Sequence, residues 1–202
     1  MGTSFYCEVE SKHDFKREHL EQLIGLIPQT FIILENEEKQ PKISTKFYFE
    51  LETGQGRVTD EMKIKTNGTT PVLTHKTFIR KLGPVIIRRE QKAKASNSRT
   101  ARTQFDPILG GYQNKGKVQN NRYSFTMREE NTGRVFCISL DDDYLIDPSD
   151  ESILTSLPFA QMEVEYEGKL NENGIIENEL HSGDDPFIDS DIIPSIKNIY
   201  LS

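Results

Sequence analysis

Two short runs of alternating glutamates, one near each end of the chain, hold the residues best suited to metal chemistry. Their carboxylates alternate with apolar or small side chains: Glu8, Glu10, Glu163, Glu165 and Glu167. Alternate side chains of a β-strand point to the same face, so each run predicts an acidic strand face. Carboxylates held close together repel one another unless a cation lies between them. We therefore expect the two strands to meet in one sheet and to bind a hard divalent cation through their oxygens.

Basic side chains are concentrated on the strands predicted between the two acidic runs. They are Lys63, Lys65, Lys76, Arg88, Lys92 and Arg122. An ordinary sheet turns its charged face to solvent, and a solvated face gives no reason to separate acids from bases along the chain. The separation favours a shared interior, in which the acids bind a metal and the bases bind an anion.

Hydrophobic periodicity places most of these residues on strands. About eight strands are predicted, mostly antiparallel, because they are joined by short turns such as the one at Asn67 and Gly68. One helix is predicted over residues 14–27, where Asp14 can cap the N-terminus. Residues 97–121 are polar and show little periodicity, which predicts a long basic loop. Such a loop can contact RNA, although loop bases of this kind more often face solvent.

The composition is typical of a protein from a reducing, cytoplasmic compartment. The 202 residues carry a formal net charge of −7, which argues against a general nucleic-acid coat. No apolar run reaches the length of a membrane span, and residues 1–12 lack the apolar core of a signal peptide. Cys7 and Cys137 fall on strand-like segments and are predicted to be free thiols. Residues 169–202 are acidic, and we predict a C-terminal extension that is partly flexible or docked on a domain of residues 1–168.

A family resemblance adds to this interpretation. The run Glu8-Val-Glu10-Ser-Lys12 resembles the ExExK signature of the CYTH, or triphosphate tunnel metalloenzyme, superfamily. Met162-Glu-Val-Glu165 is similar to the acidic final strand of that family, and the resemblance covers roughly residues 5–168. It implies a mainly β (α+β) fold: an eight-stranded antiparallel β-barrel tunnel with a polar interior and a few peripheral helices. It also implies Mg²⁺ or Mn²⁺ as the cofactor.

The resemblance assigns roles to the charged residues. The metal ligands would be Glu8, Glu10, Glu163, Glu165 and Asp141. The phosphate chain would be held by Lys63, Lys65, Lys76, Arg88, Lys92 and Arg122. The catalytic residues would be Glu10, Glu165 and Lys12, and the lysine would bind phosphate or steer the attacking water. The family commonly has an Arg-x-Arg pair on an early strand, where this chain has Lys63-Ile-Lys65, and a lysine offers a point charge instead of a two-pronged contact.

Three functions fit these features. The leading one is a metal-dependent phosphohydrolase that releases the terminal phosphate of inorganic triphosphate, thiamine triphosphate, a nucleotide or an RNA 5′-triphosphate. The second is a nucleotidyl cyclase on the same scaffold, in which the substrate's own hydroxyl replaces water. The third is a non-catalytic module that binds polyphosphate or another polyanion, which the missing Arg-x-Arg pair favours. The hydrolase and the cyclase would differ at the end of the tunnel that would bind a nucleobase.

Overall fold

A computed structural model describes residues 4–51, 56–65, 68–83, 85–94, 112–178 and 185–201. The described ranges form ten strands and two α-helices. The strands are β1 (Ser4–Lys16), β2 (Ile32–Leu51), β3 (Gly56–Lys65), β4 (Gly68–Leu82), β5 (Val85–Lys94), β6 (Tyr112–Arg128), β7 (Arg134–Ile146), β8 (Leu154–Ser156), β9 (Phe159–Leu170) and β10 (Ile176–Glu177). The helices are α1 (Leu20–Thr30) and α2 (Ile192–Leu201).

All ten strands belong to one antiparallel sheet, in the order β10-β9-β1-β5-β4-β3-β2-β6-β7-β8. Strand β9 also pairs with β7, and a flat sheet cannot bring these two strands together. The sheet is therefore curled. The predicted mainly β, antiparallel fold is confirmed, but the predicted closed eight-stranded barrel is not. The strand number exceeds the predicted eight because the short strands β8 and β10 are added beside β7 and β9.

Two predicted elements were wrong in part. The helix expected over residues 14–27 begins only at Leu20, after a short 3₁₀ turn, because Asp14–Lys16 continue β1 and pair with β9. Residues 112–121, expected in a loop, belong to β6 and pair with β2. Their amide side chains hide the strand signal, since a strand that lines a polar interior lacks the usual apolar alternation. The remainder of the predicted loop lies outside the described residues.

The apolar core lies between one face of the sheet and the two helices. Sheet residues such as Ile138, Leu140 and Val164 pack there with Leu23 and Ile27 of α1. The residues that alternate with them on the same strands lie on the opposite face, which is polar. Many of these polar residues are nevertheless buried, among them Glu8, Glu10, Ser44, Lys46, Thr74, Glu90, Asn120, Ser139 and Asp141. A polar face that is buried without an apolar cover is enclosed by the curl of the sheet.

The C-terminal helix packs into the same core, through the buried side chains of Ile192 and Ile196. The carboxylate of Glu129 fixes its start, because Ser190 Oγ and the Asp191 backbone N–H each donate to Glu129 Oε1 at 2.8 Å. The predicted domain boundary at residue 168 stays a prediction. Among the described residues, no helix combines the length and the apolar character needed to cross a membrane. Cys7 and Cys137 form no disulfide, and both are half-buried.

Candidate functional site

The two acidic strands lie side by side. Strand β1 pairs with β9 so that Glu10 is opposite Glu165 and Lys12 is opposite Glu163. The other edge of β1 pairs with β5 and places Glu8 opposite Arg88. Directly opposed residues of an antiparallel pair point to the same face. The predicted meeting of the acidic strands is therefore confirmed, and a basic strand adjoins them in the same interior.

Three carboxylates from three different strands form the group with the geometry of a metal site. Glu8, Glu90 and Glu165 each offer an oxygen, and these oxygens all lie within 4.8 Å of one another. Glu8 and Glu90 are almost fully buried. We call these three residues the carboxylate cluster. Oxygen donors at this density are what Mg²⁺ and Mn²⁺ prefer.

Glu90 was not among the predicted ligands. It lies on β5, where the sequence pattern shows mainly bases, Arg88 and Lys92 being its neighbours on the same strand face. The strand register places it opposite Tyr6 of β1 and Lys76 of β4. The sequence did contain one signal, since Glu90 is a single acid among the bases of β5. Its position beside Glu8 could not be predicted, because sequence does not give the register between β5 and the acidic strand β1.

The other predicted metal ligands are each paired with a cation. Arg88 Nη1 donates to the Glu10 carboxylate. Lys12 Nζ donates to the Glu163 carboxylate and lies 3.5 Å from Glu10 Oε2. These contacts place Glu10 and Glu163 next to the carboxylate cluster, each bonded to a base that was predicted to hold phosphate or water.

Arg122 joins Asp141, the remaining predicted metal ligand, to Glu163. Its Nε donates to Asp141 Oδ1 at 2.6 Å, and its Nη2 donates to Asp141 and, at 2.6 Å, to Glu163 Oε2. Asn120 Nδ2 donates to Asp141 Oδ1 at 2.9 Å and to Asp143 Oδ1 at 2.7 Å. Asp141 is thus held by an arginine and an amide, and its predicted role as a metal ligand stays a prediction.

Burial and neighbouring charges both affect the protonation of Glu8. Burial raises the pKa of Glu8 to about 8; Lys76 opposes the rise, and the carboxylates of Glu10, Glu90 and Glu165 add to it. Glu8 Oε2 is buried and accepts no hydrogen bond from the residues that the structure describes. A divalent cation would offset the repulsion among the carboxylates and give Glu8 Oε2 a partner. The residues of the cluster therefore fit Mg²⁺ or Mn²⁺.

Glu163 and Asp141 are held ionised by the cations beside them. Burial alone would raise the pKa of Glu163, but Arg122 and Lys12 outweigh it and hold that pKa well below its usual range. Burial alone would also raise the pKa of Asp141, but the guanidinium of Arg122 outweighs burial and lowers that pKa. The interior is therefore a network in which charges of both signs lie within bonding distance.

Some predicted phosphate ligands cannot be placed. Lys63, Lys65 and Lys92 lie on β3 and β5, but their side chains are outside the part of the chain that the structure describes. Lys76, Arg88 and Arg122 all reach the interior acids. Lys46, which was not predicted, is also buried, and its charge lowers the pKa of Asp141. Its sequence neighbourhood contains Glu50 and Glu52, which gave no reason to single it out.

The comparisons with known proteins show the fold. No family model matches the chain, and no curated protein matches it by sequence. The structure is similar to the PH1819 protein of Pyrococcus horikoshii OT3 (TM-score 0.51, 15% identity, covering 95% of this chain and 88% of that one). It is similar to a conserved hypothetical protein of Pyrococcus furiosus (TM-score 0.54, 13% identity, 96% and 90%). It is also similar to HpAC1 of Hippeastrum, described as a candidate adenylyl cyclase with a dominant triphosphatase activity (TM-score 0.52, 13% identity, 95% and 87%).

These likenesses show that the fold of this chain occurs in other proteins. At 13–15% identity they concern the fold alone. The chemistry of this chain has to be argued from its own interior.

Proposed function

We propose that this protein is a divalent-metal-dependent phosphohydrolase of the triphosphate tunnel class, which releases the terminal phosphate of a triphosphate. The carboxylate cluster carries the proposal, because it lies in a buried interior beside the bases that could bind a polyanion. Phosphoryl transfer requires little beyond neutralising charge and placing the nucleophile, and these are the functions of such an interior.

In this proposal Glu8, Glu90 and Glu165 hold Mg²⁺ or Mn²⁺, with Glu10 beside them. When bound there, the metal supplies charge neutralisation at the terminal phosphate and a more acidic water. Arg88 and Arg122 bind phosphate oxygens, for which the fork of a guanidinium is suited.

Lys12 has the position of a residue that orients the attacking water. Its Nζ lies between the carboxylates of Glu10 and Glu163, so it sits among acids that can accept a proton from that water. Glu10, Glu165 and Lys12 remain the proposed catalytic residues. The substrate would be inorganic triphosphate, thiamine triphosphate, a nucleotide or the 5′ end of an RNA.

A second candidate, a nucleotidyl cyclase, is favoured by one side chain. Phe78 is 47% exposed although it lies opposite Arg88, on the strand face that also carries Lys76. An exposed aromatic ring beside a phosphate-binding arginine can stack on a nucleobase. HpAC1, described both as a candidate cyclase and as a triphosphatase, has the same fold.

The test is release of phosphate from tripolyphosphate, thiamine triphosphate, ATP and triphosphorylated RNA, in Mg²⁺, in Mn²⁺ and in EDTA. We expect orthophosphate only when metal is present, and at least a tenfold lower turnover for Glu90→Gln and Glu165→Gln. Glu130→Gln is the matched control, because Glu130 is exposed in the turn between β6 and β7. Equal phosphate release by all three variants would refute the proposal. Cyclic nucleotide and pyrophosphate from ATP would favour the cyclase, and binding of tripolyphosphate without turnover would favour the binding module.

A further inference from the structure

Lys76 occupies an unusual place among the interior bases, because it contacts the carboxylate cluster itself. Strand pairing sets it opposite Glu90 of β5. Its Nζ donates to Glu8 Oε1 and lies 3.8 Å from Glu90 Oε2. The side chain is only 15% exposed. The ammonium therefore lies against two of the three carboxylates in the cluster.

Other interior bases contact acids outside the cluster. Arg88 is bonded to Glu10, and Lys12 is bonded to Glu163. These bases could keep their partners while a cation binds to the cluster. Lys76 could not, because its ammonium lies against the carboxylates that would coordinate the metal, and two cations at one small site repel each other.

Lys76 can also reach more than one partner. The side chain is long and has four rotatable bonds, so the ammonium can move by several ångströms without a change in the strand.

We propose that Lys76 exchanges partners when a metal binds. In the metal-free protein its ammonium takes the place of the divalent cation at Glu8 and Glu90. A bound metal displaces the ammonium into the interior, where it holds a phosphate oxygen. This inference rests on the proposed metal site and adds its regulation: metal and phosphate bind with positive cooperativity because one lysine opposes the first and assists the second.

If the exchange occurs, removing Lys76 changes the affinities for metal and for phosphate in opposite directions. This distinguishes the exchange from simpler roles of the lysine. Removing the lysine removes the competitor, so metal affinity increases. It also removes a phosphate contact, so anion affinity decreases. A lysine that only bound phosphate would leave metal affinity unchanged, and a lysine that only stabilised the site would lower both affinities. Binding free energies of two ligands that share a residue are coupled reciprocally.

The test is isothermal titration of the metal-free protein with Mg²⁺ at pH 8.5, where protons compete less for the cluster, followed by titration with inorganic phosphate. The proteins are wild type, Lys76→Met and the control Lys117→Met, since Lys117 is a β6 lysine whose partner is the exposed Glu151. Inorganic phosphate is used because tripolyphosphate would itself sequester the metal.

We expect the Mg²⁺ dissociation constant of Lys76→Met to be about tenfold lower than that of wild type, the magnitude of one charged hydrogen bond. Saturating Mg²⁺ should tighten phosphate binding about tenfold in wild type and in Lys117→Met, and much less in Lys76→Met. If circular dichroism shows that Lys76→Met is unfolded, Lys76→Gln replaces it, because its amide can still donate to Glu8 without the charge.

The outcomes separate the two proposals. Equal or weaker Mg²⁺ binding by the Lys76 variants would overturn the exchange while leaving the metal site in place. Phosphate binding that does not depend on Mg²⁺ in wild type would also overturn it. Failure of wild-type protein to bind Mg²⁺ would overturn both the metal site and the exchange.

Discussion

Glu8 is the residue at which the conflict between burial and charge is greatest. Burial, with a smaller contribution from three neighbouring carboxylates, raises its pKa to about 8 from an ordinary value of 4.5, although Lys76 lies against it. The folded protein therefore binds this proton more tightly than the unfolded chain does. The stability that Glu8 contributes is complete at pH values below 4.5 and is lost as the pH rises through 8.

This linkage predicts how metal-free protein melts. In EDTA, the melting temperature of wild type should fall between pH 6 and pH 8.5, and that of Glu8→Gln should fall less, because glutamine does not ionise. Excess Mg²⁺ should raise the wild-type melting temperature most at pH 8.5, since a bound cation stabilises the folded state by mass action. Differential scanning calorimetry of the two proteins, with the exposed Glu18→Gln as control, makes the measurement. Parallel melting curves for wild type and Glu8→Gln would contradict the raised pKa.

At the scale of single residues, the sequence predicts which side chains share a strand face better than it predicts which side chains of different strands are neighbours. Strand alternation alone put Glu8 with Glu10, and Glu163 with Glu165. It could not show that Glu90 joins Glu8 and Glu165, because that depends on the register between β1 and β5. The register between β1 and β5 depends on how the opposite face of the sheet packs, and that packing involves residues far apart in the chain.

At the scale of elements, the pairing of β9 depends on a glycine. Between Tyr166 and Gly168 the ladder with β7 is shifted by one residue. Gly168 has a φ of +145°, and a Cβ at this position would lie 2.5 Å from the backbone oxygen of Glu177 in β10. Only glycine combines that backbone conformation with so close an approach of another strand.

Gly168→Ala should therefore destabilise the protein by about 1–3 kcal/mol, the cost of a strained backbone conformation. Gly25→Ala is the matched control, because Gly25 lies within α1 and no described neighbour beyond the helix backbone comes within 4 Å of the place an alanine methyl would take. It should stabilise the protein by about 0.5–1 kcal/mol, since alanine is the better helix former. Urea denaturation of both variants measures the changes, and an unchanged midpoint for Gly168→Ala would disprove the role given to this glycine.

The sequence predicted the strands that carry apolar alternation and missed those that do not. β7 and β9 alternate apolar and polar residues and were predicted within a few residues. The first half of β6 is rich in asparagine and glutamine, and it was expected to be a loop. An interior filled with polar groups removes the pattern on which strand prediction depends.

At the scale of the whole molecule, the C-terminal segment is part of the core. Phe187 lies against Phe136 with ring centroids 5.4 Å apart, and Ile192 and Ile196 are buried under the sheet. A chain ending at residue 184 would leave this apolar surface in water. Truncating a single buried isoleucine to alanine lowers the free energy of unfolding by about 2–5 kcal/mol.

We expect the 1–184 chain to lose most of its stability, because typical domains are stable by only about 5–15 kcal/mol. The measurement is the urea midpoint of 1–184 against full-length protein. Ile188→Ala is the control within the same segment, since Ile188 is 61% exposed and should change the midpoint little. A 1–184 chain with the full-length midpoint would show that the C-terminal segment adds nothing to the stability of the domain.

The pairing of β1 with β9 also has a consequence during translation. β1 is made first, yet its partner β9 leaves the ribosome about 150 residues later, which at cellular rates is roughly 8–30 s. Throughout that interval β1 presents an open strand edge, the kind of surface on which nascent chains aggregate. Charged side chains protect such edges, and β1 carries Glu8, Glu10 and Lys12 on one face. The β1 residues proposed for metal binding and catalysis would thus also protect this edge from aggregation while the chain is being made.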